Sequence, residues 1–151
     1  EMQFVSDPAF LKLGGVNMAM TGTDSLMHML KSSLSLSNKH RIALQLKNLM
    51  EQRSLYPLNP PPEDSQLSLE LELAGRHATF DTLPHVLITP SALAPFVKEV
   101  KKVCCINPGR LAKGQSAGTF ARLSVDLKKL NDTKPVVTEF CDAVSVNIVR
   151  I

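Results

Sequence analysis

Residues Val103–Val125 read VCCINPGRLAKGQSAGTFARLSV, and the fold is decided there. A short apolar run, Val103 to Ile106, enters a turn at Asn107-Pro108-Gly109. Proline lacks a donor and restrains φ, and glycine accepts a left-handed backbone, so this tripeptide stops a strand. A basic loop punctuated by glycines follows, and Thr119 to Val125 reads as a second strand. Strand, loop and strand make a scaffold, but no nucleophile–base pair or dense ligand cluster accompanies them. A binding or structural module therefore stands beside an enzyme as a reading of the chain.

The chain has 151 residues, 44% of them apolar, which suits one domain with one hydrophobic core. With one Tyr, six Phe and no Trp, that core must be mostly aliphatic. A net charge of +3 is ordinary and does not argue for a nucleic-acid surface. Cys104, Cys105 and Cys141 are odd in number and lack CxxC spacing, so buried thiols are expected. No apolar run is long enough for a membrane helix, and EMQFVSDP lacks the regions of a signal peptide. Asn131-Asp132-Thr133 fits a glycosylation pattern that chance explains. The opening residues suggest the later part of something longer.

Working outward, Gly14-Gly15 marks a turn before a strand with Val16, Met18 and Met20 on one side. Asp24 or Thr23 caps a brief helix over residues 25–31, and Ser32 to Asn38 reads as a surface loop. His40 to Gln52 is the clearest helix, with Ile42, Leu46, Leu49 and Met50 near one face. Pro57 and Pro60-Pro61-Pro62 then break regular hydrogen bonding. A rigid loop is the expectation there, with a polyproline recognition segment as the other reading. Leu67, Leu69, Leu71 and Leu73 alternate with polar residues as a strand or edge ribbon. Gly75 to Thr82 reads as irregular and Val86 to Ile88 as a buried strand. A helix is expected from Ser91 through Phe96 to Val100, with Pro95 in its first turn. Lys128 to Pro135 reads as a polar excursion, and Val144, Val146 and Ile148 as a last strand. The order predicts an α/β (α+β layered) domain, with loops near 32–39, 57–66 and 128–142.

The loop Gly109 to Ser116 matches GxxxxG, but Gln115 stands where a phosphate-binding loop needs lysine, and no helix is expected after it. His28, His40, His77 and His85 are scattered and show no HxH or HExxH spacing. His77 and Asp81 are four apart, but Gly75 and Thr79 weaken a helical reading between them. Ser91 and Ser116 lie outside GxSxG and lack an assignable base. Arg53, Tyr56, Arg110, Lys113 and Arg122 remain as interface or scaffold candidates. Arg122, within a strand, needs water, an acidic partner or another chain, and structure and interface are equally open for it.

Gln52-Arg53-Ser54-Leu55-Tyr56-Pro57-Leu58-Asn59-Pro60-Pro61 with Glu63-Asp64 resembles a motif of the B (accessory) subunit family of eukaryotic DNA polymerase alpha. Cys105 to Leu111, Lys113 to Gln115, Gly118 to Leu123 and the closing VNIVRI resemble that family's near-terminal signature and carboxyl end. Gly22-Thr23-Asp24 and Pro84 to Ile88 before Pro90-Ser91 fall in the same order. The likeness spans most of the chain and weakens at 32–45 and 126–142.

The resemblance implies a calcineurin-like metallophosphoesterase-type two-sheet core flanked by helices. Residues 1–151 would be the carboxyl-terminal portion of such a domain, its sheet completed by other residues. Active relatives carry Gly-His-x-His after a late strand, where this chain has Thr89-Pro90-Ser91-Ala92. The position near Met20-Thr21-Gly22 also lacks the histidine of active archaeal relatives. The resemblance thus implies an inactive, non-catalytic nuclear subunit with no cofactor and no membrane association. Its implied partners are the carboxyl-terminal domain of the catalytic subunit and primase, with template-primer DNA reached mainly through the complex. A divergent metal-dependent phosphoesterase and a small nucleic-acid module are the competing classes.

Overall fold

The computed structural model describes residues 2, 4–34, 40–62, 70–126, 128–129 and 141–151. Its centre is a five-stranded sheet in the order β1-β2-β3-β5-β4. The strands are β1 (Ala9–Leu13), β2 (Val16–Met20), β3 (Val86–Ile88), β4 (Phe96–Val100) and β5 (Val103–Asn107). β2, β3 and β5 run parallel, with Met18 opposite Val86 and Val86 opposite Cys104. The edge strands β1 and β4 are antiparallel to their neighbours. Gly14 and Gly15 sit at φ +56° and +86°, the turn that joins β1 to β2 with the twist a two-residue hairpin requires.

Period-two side chains divide the sheet between two cores. Ala19, Leu87, Val103 and Cys105 face helices α1 (Ser25–Ser32) and α2 (Arg41–Glu51), meeting Leu26, Met29, Leu46, Leu49 and Met50. Val16, Val86, Cys104 and Ile106 face the other way, against a hairpin of β8 (Thr119–Val125) and β9 (Val144–Arg150). From that hairpin Ala121, Leu123, Val125, Val144 and Val146 point inward. The result is an α/β domain of helices, a five-stranded sheet and a smaller sheet. Between β5 and β8 the basic loop folds into a short hairpin, β6 (Ala112–Lys113) with β7 (Ser116–Ala117). Its base is closed by Gly118 N–H to Leu111 O (3.0 Å) and Thr119 N–H to Arg110 O (2.9 Å). A Cβ on Gly118 would run into the Arg110 carbonyl oxygen, so this close approach requires glycine.

The two strands expected in the opening stretch are present as β5 and β8, each in a different sheet, whereas several other expectations are corrected. The segment from Ser91 to Val100 is not a helix: its first part is irregular and Phe96–Val100 is β4. Pairing with β5 overrides the helical reading, in which Pro95 was tolerable only within the first turn. The strand expected over residues 67–73 becomes helix α3 (Leu71–His77) where it is described; residues 63–69 lie outside the described residues. Leu, Glu and Ala favour that helix, and Glu72 pairs with Arg76 one turn on at 2.6 Å. α3 also takes the first part of the stretch read as irregular, and Thr79 bridges to Ser54. Strand β1 and the β6–β7 hairpin were not anticipated. The loop expected at 32–38 begins inside α1 at Ser32, and residues 35–39 lie outside the described residues. So does most of the excursion at 128–135.

Candidate functional site

Parallel strands β2, β3 and β5 present their carboxyl ends along one edge, the place where α/β sheets bind ligands. Three short loops meet there: Thr21 to Asp24, Thr89 to Ala92, and Asn107 to Gly109. Asp24 joins the first two. Its Oδ1 accepts from Met27 N–H at 3.0 Å and caps α1, while its Oδ2 accepts from Ala92 N–H at 2.7 Å.

Asn107 joins the other pair. It is fully buried, and its Oδ1 accepts from Ser91 N–H and Gly109 N–H, both at 3.0 Å. Its Nδ2 donates to Leu93 O at 3.4 Å and Ala94 O at 3.3 Å. One amide thereby satisfies four backbone groups, that of Ser91 buried and the other three part-buried. Pro108 O accepts from Thr119 Oγ1 at 2.8 Å, tying the edge to β8. Gly109 has φ +77°, and a Cβ there would meet Thr119 Oγ1 at 2.5 Å and Pro95 Cγ at 2.8 Å.

A cavity of about 310 Å³ opens beside the ends of β2 and β3, walled by Val5, Ala9, Met20, Ile88 and Pro90, with Thr21 and Gly22 at its rim. Asp7 is its one carboxylate among the described residues, and both oxygens accept from Gly22 N–H at 3.0 Å. No group of three His, Cys, Asp or Glu residues suited to a metal occurs among the described residues. Thr89 is buried with its N–H bonded to Ile106 O, and Ser91 Oγ accepts from Leu93 N–H at 3.2 Å. The edge is braced by backbone-directed hydrogen bonds and offers no nucleophile beside a base among the described residues.

The interface or scaffold candidates are not brought together. Tyr56 is buried on the helical side, where its hydroxyl and His28 Nδ1 form a hydrogen bond of 3.2 Å and the rings meet edge to face. Arg53 follows α2 at φ +50°, and its guanidinium donates to the Asp81 carbonyl. Arg110 is exposed at the base of the small hairpin, whose strand β6 contains Lys113. Arg122 is exposed on the outer face of β8, opposite Asn147, with the five-stranded sheet between it and the helices.

Burial shifts groups at the other end of the sheet. His85, before β3, accepts from Asn17 N–H on Nδ1 at 2.9 Å and has its pKa lowered by burial. Burial raises the thiols of Cys104 and Cys105, and pushes Cys141 up to about 11 with help from Glu99. Cys104 and Cys105 are buried as expected, whereas Cys141 is half-buried; the upward shifts disfavour the thiolate at all three. Asn107 and Asp24 carry the site's architecture, yet the sequence reading assigned them only a turn and a helix cap. The one local signal was a polar Asn ending a wholly buried strand.

The fold and edge therefore define an α/β domain with a braced strand-end site that holds no metal-ligand triad among the described residues. Residues 1–98 match the family model described as the B subunit of DNA polymerase alpha/epsilon. The chain is 42% identical over 124 residues to the DNA polymerase alpha B subunit of Mus musculus, covering 81% of this chain and 20% of that protein. The Drosophila melanogaster protein of that name is 35% identical over 124 residues, 82% of this chain and 20% of its own. That of Schizosaccharomyces pombe is 30% identical over 131 residues, 83% and 23% respectively. The chain belongs to the B-subunit family of DNA polymerases alpha and epsilon. It spans about a fifth of the length of the curated relatives it matches.

Proposed function

We propose that this chain is part of a non-catalytic accessory subunit of DNA polymerase alpha, acting in the nucleus as a scaffold. In this reading it binds the carboxyl-terminal domain of the catalytic subunit and links it with primase for RNA–DNA primer synthesis. The fold is read as the carboxyl-terminal portion of a calcineurin-like phosphoesterase domain, whose layers the two sheets and flanking helices match in outline. The observation that carries the proposal is the strand-end edge. Where a phosphoesterase needs imidazoles and carboxylates around metals, the backbone of residues 89–92 is committed to Ile106, Asn107 and Asp24, and Pro90 walls an apolar cavity.

Arg110 and Arg122 are the exposed cations proposed to meet the catalytic subunit, with Lys113 in the same hairpin region. Arg53 and Tyr56 are proposed to act as scaffold, holding the segment after α2 against Asp81 and His28. The test uses the full-length accessory protein co-purified with the carboxyl-terminal domain of the catalytic subunit. The Arg110→Ala/Arg122→Ala variant should melt like the parent and bind that domain about tenfold more weakly. Unchanged binding sinks the assignment of these arginines. Metal-dependent phosphodiester hydrolysis by the purified full-length protein would sink the non-catalytic reading.

A further inference from the structure

β4 and β5 are joined by a two-residue turn, Lys101-Lys102, flanked by the pair Val100 and Val103. Both lysines have positive φ, +49° and +64°. Such turns are the province of Asn-Gly and Gly-Gly, because a Cβ crowds the backbone in this region. Two consecutive lysines contradict the local rule, and such conflicts cluster at functional sites. Lys101 has one internal role: its Nζ lies 2.9 Å from Glu51 Oε1, a carboxylate already 3.7 Å from Lys47 Nζ. Lys102 is exposed and has no side-chain partner among the described residues.

The turn continues into a sheet edge that is unpaired among the described residues. Among the described residues β4 borders no strand besides β5, and Val97, Lys98 and Glu99 are exposed along it. Lys98 shares a face with Phe96 and Val100, on the helical side; Glu99, the one carboxylate of the strand, points to the opposite side with Val97. A lysine on an edge discourages pairing with a like copy while favouring an acidic strand. Phe10 lies in β1 at the opposite edge of the sheet, Phe4 precedes that strand, and the aromatic of β4, Phe96, is part-buried against the helical core, so this edge lacks an exposed platform for stacking bases among the described residues.

We propose that the β4 edge, with the Lys101-Lys102 turn at its end, is a docking site for an extended acidic polypeptide segment of a partner protein. The segment would add as a strand beside β4, its backbone pairing with the open edge and its carboxylates meeting Lys98 and Lys102. The inference rests on the geometry of this end alone and stands or falls separately from the accessory-subunit reading.

The turn supplies its own control, because Lys101→Asn/Lys102→Gly removes two charges while installing the residues the backbone prefers. Fluorescence anisotropy with the full-length protein would use four labelled probes. They are a peptide of alternating Glu and Val, its alternately N-methylated form, a Lys-Val peptide and a DNA duplex. The Glu-Val peptide should bind and lose about tenfold in affinity with the variant, whose melting midpoint should not fall. The N-methylated and Lys-Val peptides should not bind. Equal binding of the N-methylated peptide overturns strand addition. Turn-dependent binding of the duplex without the peptide makes this a phosphate site and overturns the proposal, as does peptide binding that ignores the variant or an absence of binding.

Discussion

β5 is bounded by two turns built on opposite terms. At its carboxyl end the backbone turns through Asn107-Pro108-Gly109, where the positive φ falls on a glycine and a buried amide satisfies the surrounding backbone. At its amino end the positive φ values fall on Lys101 and Lys102, and one ion pair to Glu51 is the side-chain support described. Residue and backbone agree at the first turn and disagree at the second. Agreement marks a turn whose role is the fold; disagreement marks a place where the fold carries a residue for another reason. The braced turn lies at the edge formed by the carboxyl ends of the parallel strands, and the strained turn lies at the end away from it.

The largest effect in this contrast belongs to Asn107. Asn107→Ala strands Ser91 N–H in a buried position and leaves Gly109 N–H and the carbonyls of Leu93 and Ala94 without their partner in part-buried ones. The buried donor costs on the order of a kcal/mol or more and the part-buried groups, which water can reach, cost less, so a loss of roughly 2–4 kcal/mol is expected in urea unfolding. A loss under about 1 kcal/mol would show that the amide is dispensable and that the carboxyl-end turn is shaped by Pro108 and Gly109 alone.

An intermediate effect comes from His85, whose carbonyl accepts from Cys104 N–H near the strained turn. Burial holds its folded pKa below the ordinary 6.5, and Nδ1 must stay unprotonated to accept from Asn17 N–H. As pH falls through about 6.5, the unfolded imidazole takes up a proton that the folded one refuses. Acid therefore favours the unfolded chain, and stability contributed by neutral His85 is present above that pH and lost as pH falls toward the folded pKa. Urea midpoints should drop between about pH 7.5 and pH 5.5 in the parent and stay flatter in His85→Asn, which keeps an acceptor for Asn17. Parallel profiles for the two proteins would remove His85 as the cause.

The two turns also show which parts of the fold were legible in sequence. β2, β3, β5, β8 and β9 announce themselves because buried strands must be apolar on one or both faces, as Val103 to Ile106 and Val144 to Ile148 are. α2 is equally plain from Ile42, Leu46, Leu49 and Met50. The edge strands were not: Phe10, Leu13 and Val97 are exposed, and β1 and β4 exist because a neighbour's backbone pairs with them. Ser91 pointed toward a helix, with Pro95 tolerable only in its first turn, and no Asn or Gly announced the hairpin after β4. At the candidate site, the lack of His, Cys, Asp and Glu from Thr89 to Ala92 could be read directly. The Asn107 clamp could not, because its partner Ser91 lies sixteen residues away in the chain.

The smallest effect has the opposite sign and tests the contrast most directly. If Lys102 is held at φ +64° against its own preference, then Lys102→Gly relieves crowding between Cβ and the carbonyl that follows. Glycine's greater freedom in the unfolded chain offsets part of that relief, leaving a gain of about 1 kcal/mol. For a domain of this size the melting midpoint rises by about 2–4 °C. Gly109→Ala should move the other way, since φ +77° and the contacts with Thr119 and Pro95 leave no room for a methyl group. The pair of substitutions exchanges the two turns' terms, one toward the local rule and one away from it. A Lys102→Gly variant less stable than the parent would mean that the lysine itself supports the fold, and the amino-end turn would lose its claim to a role beyond structure.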